Sequence, residues 1–208
     1  MGHPLHYLKE TASQTAGPYV HIGLIPQMAG FEIFEKNFGN VLAGPNAKGE
    51  RIVVEGRVFD GAGTPLRDVL LEIWQANAAG RYNHPDDPGS QPLDDDFRGF
   101  GRAGSDFDGA LYSFETIKPG PITHADGRTG APHINVWIVA RGINIGLNTR
   151  IYFSDEEAAN AADPVLNLIE QPSRRSTLIA KRSERGGKAV YTFDVHLQGA
   201  DETVFFDV

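Results

Sequence analysis

His133-Ile-Asn-Val-Trp-Ile-Val-Ala140 is the stretch that decides the fold. It is rich in β-branched and aromatic residues and apolar in both registers, which fits a central strand with neighbours on either side. Similar short runs surround it. Arg51-Ile-Val-Val-Glu-Gly-Arg-Val-Phe59 alternates like a half-buried strand and ends in the turn Asp60-Gly-Ala-Gly63. Val69 to Ala76, Leu111 to Ile117, Arg150 to Phe153, Ala189 to Leu197 and Thr203 to Phe206 read as further strands. Turns such as Asn77-Ala-Ala-Gly80 and Lys118-Pro-Gly-Pro121 punctuate them.

Seven or so short strands separated by turn signals predict an all-β domain, an antiparallel β-sandwich. Asp155 to Ala162 has an acidic start and strong helix formers, which predicts a short helix, and Pro172 to Ala180 suits a second. Residues 1–50 are Gly-, Pro- and Ala-rich without strand alternation. They read as an N-terminal arm packing on another chain, and residues 51–208 as the sandwich domain.

Composition narrows the function. The 208 residues include 40% hydrophobic and 10% aromatic side chains, enough for a sizeable core. There is no cysteine, so disulfides and thiolate metal sites are excluded. A net charge of −8 gives no basic groove for nucleic acid. No run has the length of a membrane span, and Met1 to Glu10 lacks a secretory pattern, so the expected compartment is the cytoplasm.

No phosphate loop, nucleophile elbow or dinucleotide fingerprint is present. Gly99-Phe-Gly-Arg-Ala-Gly104 reads as a turn between strands. Arg174-Arg175 and the cluster from Lys181 to Arg185 read as solvated helix ends or ion pairs. His3 and His6 sit near the terminus, and His84 precedes an acidic loop, Pro85 to Asp96, without ordered calcium-ligand spacing. Ala131-Pro-His-Ile-Asn135 is more pointed. Positions two apart on a strand share a face, so His133 and Asn135 are neighbours. The pair offers one good transition-metal donor, because a neutral amide is a poor one. Taken alone, His133 suits a hydrogen-bonded core histidine.

Trp74-Gln-Ala76 with Gly80-Arg-Tyr82, Thr116-Ile-Lys-Pro-Gly-Pro121 and Ala131-Pro-His-Ile-Asn135 together resemble the intradiol ring-cleaving dioxygenases. Ser13-Gln-Thr-Ala-Gly-Pro-Tyr19, Val20 to Gly23, Ala140 to Asn144, Pro164 to Glu170, Arg174-Arg175 and Glu202 to Asp207 narrow the resemblance to an alpha-type chain of a two-chain member. It spans nearly the whole sequence. It implies a transthyretin-like sandwich. It also implies intradiol cleavage of protocatechuate by O2 to 3-carboxy-cis,cis-muconate, and a beta-chain partner in a larger symmetric assembly. The implied cofactor is Fe(III), held by two tyrosines and two histidines of that beta chain.

Here the resemblance keeps Tyr82 and His133 but places Ile122 and Asn135 at the other two ligand positions, and Gly130 at an arginine position. It therefore implies no metal site and no catalytic residue in this chain alone. It implies instead that Thr15, Gly17, Pro18, Tyr19 and Arg141 complete the partner's substrate pocket. Two other readings stay open: iron held by Tyr82, His133 and a substitute such as Tyr112 or His124, or a transthyretin-like binding module without catalysis.

Overall fold

The structure is a computed structural model that describes residues 15–207 other than 36, 37, 88, 125 and 145. The segment Met1 to Gln14, with His3, His6 and Ser13, lies outside the described residues. Twelve strands and a few short helices make up the rest.

The central strand is β8 (His133–Val139), antiparallel to β3 (Leu70–Gln75) on one side and β9 (Leu147–Phe153) on the other. β4 (Phe100–Gly104) pairs with the outer edge of β3. A second group contains β1 (Arg51–Gly56), antiparallel to β5 (Tyr112–Ile117) and parallel to β11 (Lys188–Thr192). β10 (Ile179–Arg185) splices the two groups. Its first two residues run parallel to β9 and the remainder antiparallel to β11. The result is one continuous sheet in the order β4-β3-β8-β9-β10-β11-β1-β5. Its departures from the all-antiparallel expectation are the two parallel ladders. β2 (Val58–Phe59) with β12 (Val195–His196), and β6 (Ile122–Thr123) with β7 (Thr129–Gly130), form small accessory pairs.

Both groups turn one face to a common core. Ile134, Val136 and Ile138 of β8 meet Ile52 and Val54 of β1, Tyr112 and Phe114 of β5, and Tyr191 of β11 there. At about 25 cal/mol per Å² of apolar surface removed from water, this shared core is the main stabilising term. It also separates two sets of side chains: every second residue of β8 is core, and His133, Asn135 and Trp137 point the other way.

Several expected elements shift. The helices appear as α2 (Glu157–Ala162) and α3 (Pro172–Arg175), preceded by α1 (Val20–Leu24) near the start. Gly99 to Gly104 is not a turn: only Gly99, at φ 76°, turns the chain, and the rest is β4. Its glycines serve close approach, since a Cβ on Gly101 would lie 2.5 Å from Leu42 and one on Gly104 2.7 Å from Ile25. Lys181 to Arg185 is strand rather than helix end, with Arg182 and Arg185 paired to Glu50, Asp155, Glu184 and Glu55. Thr203 to Phe206 forms a single bridge from Phe206 to Asn148 instead of a strand.

Part of the expected arm lies on this chain's own sheet. Ile25 is fully buried against Leu70 and Val139, with Val20 and Leu24 around it, and Leu42 and Ala43 join the main core. Between them Met28, Phe31, Ile33, Phe34 and Phe38 remain exposed.

Asp163 ties the outer layer to the sheet. Its buried carboxylate accepts from the amides of Ala131, Val165 and Leu166 and from the Tyr152 hydroxyl. Asp163→Ala leaves these donors unpaired and should destabilise the protein by about 3 kcal/mol, read as a lower urea midpoint at unchanged slope.

Candidate functional site

Two loops lock together beside the end of β8. After β3 the chain turns through Asn77, whose side-chain oxygen accepts from the amides of Ala79 and Arg81 at 2.9 and 3.0 Å. Gly80 adopts φ 80° and presses on the Pro121 carbonyl, where no Cβ would fit. The Gly120 amide donates to the Asn77 carbonyl at 2.9 Å. The turn carrying Tyr82 and the Pro-Gly-Pro turn carrying Ile122 are thus fixed face to face.

Within that frame the resemblance's four positions come together. Trp74 stacks on Tyr82 with ring centroids 5.7 Å apart. The Asn135 amide donates to the Trp74 carbonyl and to the Tyr82 hydroxyl, both at 3.2 Å. The Tyr82 hydroxyl lies 3.3 Å from His133 Nε2, and His133 Nδ1 lies 2.8 Å from the Ala131 carbonyl. A carbonyl only accepts, so Nδ1 carries the ring proton and Nε2 receives the tyrosine's. Burial pushes the Tyr82 phenol up, and burial together with the Arg150 guanidinium holds the imidazole down at about 4. Both groups are neutral at pH 7.

The resemblance implies Fe(III), and the four positions do not fit that ion. A ferric site needs anionic phenolates and free imidazole lone pairs. Of the two tyrosines and two histidines the ion would need, Tyr82 and His133 alone are present, and they hydrogen-bond each other. Ile122 has no donor atom. Asn135 turns its amide hydrogens, not a lone pair, toward Tyr82. Ile122 faces Gly130 across the β6–β7 pair, and a Cβ on Gly130 would lie 2.7 Å from His124 Nε2, so a larger residue there would require the His124 side chain to shift. Among the described residues no three His, Asp or Glu side chains stand ready to hold a metal. Tyr112 is no substitute ligand, because it lies inside the core and donates to the Phe193 carbonyl. The acidic loop spends its carboxylates on backbone amides: Asp87 on Tyr82 and Gly89, Asp94 on Lys48, Asp96 on Asn46.

The arm residues gather at the other end of β8. Thr15 Oγ1 accepts from the Gly142 amide at 2.7 Å and reaches the Ala140 carbonyl at 3.3 Å. Gly17 and Pro18 turn the chain into α1 through the Val20 amide, 3.2 Å from the Gly17 carbonyl. Tyr19 is 76% exposed. Arg141 pairs with Asp68 and its side chain is still 63% exposed. β8 spans roughly 20 Å from His133 to Val139 at ~3.3 Å per residue, and Arg141 lies in the turn beyond it. The two sets of residues lie apart.

Sequence reading took Arg150 only as a strand residue. The signal was its alternation with Tyr152 two positions on, which places it on the face of His133 and Asn135. The register puts Trp74, Asn135 and Arg150 in one row across β3, β8 and β9.

Residues 35–199 match the family model described as dioxygenase. The chain belongs to the intradiol ring-cleavage dioxygenase family. It is 52% identical to a protocatechuate 3,4-dioxygenase alpha chain of Pseudomonas putida, over 98% of this chain and 99% of that one. It is 40% identical to a protocatechuate 3,4-dioxygenase beta chain of Burkholderia cepacia, over 74% and 67%. Among solved structures, the dioxygenase domain of a carbohydrate-binding fusion protein from Streptomyces sp. SirexAA-E superposes with a TM-score of 0.55 at 25% identity, covering 81% of this chain and 94% of that one.

The neutral site makes stability pH-dependent. The His133 imidazole titrates at about 4 in the folded chain and near 6.5 when unfolded, so the unfolded state binds more protons between those values. Stability from this group is full above pH 6.5 and falls as pH drops toward 4, by at most about 3 kcal/mol. Urea titrations should show this slope and show it flattened in His133→Gln.

Proposed function

We propose that this chain is the alpha-type subunit of a protocatechuate 3,4-dioxygenase, one half of a heteromeric enzyme. Its beta chain holds the Fe(III) and carries out the chemistry. The observation that carries the reading is the closed set Tyr82–His133–Asn135 with Ile122 alongside. The family's metal position is present but self-satisfied, in a chain 52% identical to a named alpha chain along almost its full length. A chain that keeps the fold and gives up the metal serves the activity through another chain.

The finer reading of the fold is a two-layered sandwich, 51–208, with an N-terminal arm, 1–50, that reaches the partner. Exposed Met28, Phe31, Ile33, Phe34 and Phe38 support the arm's contact, since so much apolar surface on one short segment calls for a cover. Thr15, Gly17, Pro18, Tyr19 and Arg141 form the edge of the partner's substrate pocket in this reading. The substrate's carboxylate needs a cation, and the Arg141 guanidinium is exposed and held in place by Asp68. Both atoms of O2 end up in the two carboxylates made when the ring opens between its hydroxyl-bearing carbons. No helix among the described residues is long and apolar enough to cross a membrane, and we place the enzyme in the cytoplasm.

Iron analysis tests the division directly. The chain purified alone should carry no iron and no dioxygenase activity. Co-expression with a beta chain should yield a red, active complex, the colour arising from phenolate-to-iron charge transfer. A red and active chain made alone would overturn the proposal.

Arg141 is tested within the complex. Loss of a charge-assisted contact to the carboxylate should lower kcat/KM of Arg141→Ala roughly tenfold or more, with iron content unchanged. An unaltered kcat/KM would remove Arg141 from the pocket.

A further inference from the structure

A cleft of about 490 Å³ lies on the outer face of β3, β8 and β9. Its floor is set by the strand register: the row Trp74–Asn135–Arg150 lies beside the row Glu72–Trp137–Asn148. Phe100 and Phe206 extend the aromatic surface, and Leu168, 75% exposed, stands at the rim. Both tryptophans of the chain line this one cleft.

The charges in it are unequal in their commitments. Glu72 is paired with Arg102. Asp207 is an exposed carboxylate at the rim. Arg150 is half-buried and makes no ion pair among the described residues; part of its guanidinium interacts with the Tyr152 hydroxyl, while its Nη1 is buried without a hydrogen-bond partner. Its neighbours Tyr82, His133 and Tyr152 supply no negative charge: the two phenols are held up by burial, and the imidazole is neutral. Asp163, the buried carboxylate on this side, faces the Tyr152 hydroxyl and three backbone amides. A half-buried guanidinium with a free donor and no counter-charge suits an anion, and a carboxylate matches its planar donors. A flat aromatic body matches the floor.

We propose that this cleft is a non-catalytic binding site for a small aromatic carboxylate, with Arg150 as its anion-binding group and Trp74 and Trp137 as its apolar floor. The site is distinct from the pocket assigned to the partner, because neither Arg141 nor Thr15, Gly17, Pro18 or Tyr19 lines the cleft. It needs no metal, so it holds its ligand without turning it over.

Equilibrium dialysis of 4-fluorobenzoate, followed by fluorine NMR, counts the sites on the purified protein in whatever assembly it forms. One site per copy of this chain should disappear in Arg150→Gln, whose affinity there should fall roughly ten- to hundredfold. The neutral 4-fluorobenzamide should not occupy that site. Leu168 is exposed enough to change without disturbing the fold: Leu168→Glu should weaken binding several-fold and Leu168→Lys should strengthen it. A site count unchanged by Arg150→Gln, equal binding of the amide, or indifference to the charge at position 168 would each overturn the proposal.

Discussion

The register of β8 against β3 and β9 is the constraint from which the rest follows. Period-two alternation sends Ile134, Val136 and Ile138 into the core and His133, Asn135 and Trp137 outward. A slip of one residue would bury the polar set and expose the apolar one. Pairing on both sides makes that slip costly, because it would have to break two ladders at once. The family's metal position, the aromatic cleft and the turn that receives Thr15 are therefore all fixed by a single strand in the middle of the sheet.

What happened at the metal position is a change of chemistry rather than a collapse. An imidazole and a phenol without a metal would leave a lone pair and a hydroxyl looking for partners inside a poorly hydrated pocket. Tyr82 and His133 satisfy each other, and Asn135 suits this arrangement better than a second histidine would. Its amide has two hydrogens, one for the Trp74 carbonyl and one for the Tyr82 oxygen. A histidine side chain has at most one proton per ring nitrogen and points them apart. Ile122 meanwhile packs close to Gly130, its Cγ1 3.1 Å from where a Cβ on that glycine would lie. The substitutions read as one mutually consistent set, each making the neutral form of the others more favourable.

The sequence was legible where one force dominated. Alternating apolar runs located β1, β3, β5, β8, β9 and β11, because burial of one face leaves a period-two trace. It was not legible at β10, where charged residues occupy a strand whose stability comes from its neighbours and from ion pairs to Glu55, Glu50 and Asp155. Nor was it at β4, whose glycines resemble a turn in sequence but are required by the close approach of Leu42 and Ile25. The ligand positions were visible only through the resemblance. Spacing alone placed His133 beside Asn135, while Tyr82 and Ile122 arrive from loops whose meeting depends on Gly80 and Gly120. Arg150 stayed hidden because its alternation with Tyr152 tells which residues share its face of the strand but not that the register sets it opposite Asn135.

In the proposed division of roles, the two ends are held apart by the length of β8, roughly 20 Å at ~3.3 Å per residue. Coupling between sites travels through elements with two alternative arrangements, and a strand paired on both sides has only one. Changes at His133, Asn135 and Ile122 are thus absorbed locally by hydrogen bonding. The far end is held by contacts of its own, Thr15 with the turn after β8 and Asp68 with Arg141. Rigidity is what permits the division. A looser sheet would pass a change at the family's metal position on to the arm, and with it to the partner that the arm is proposed to reach.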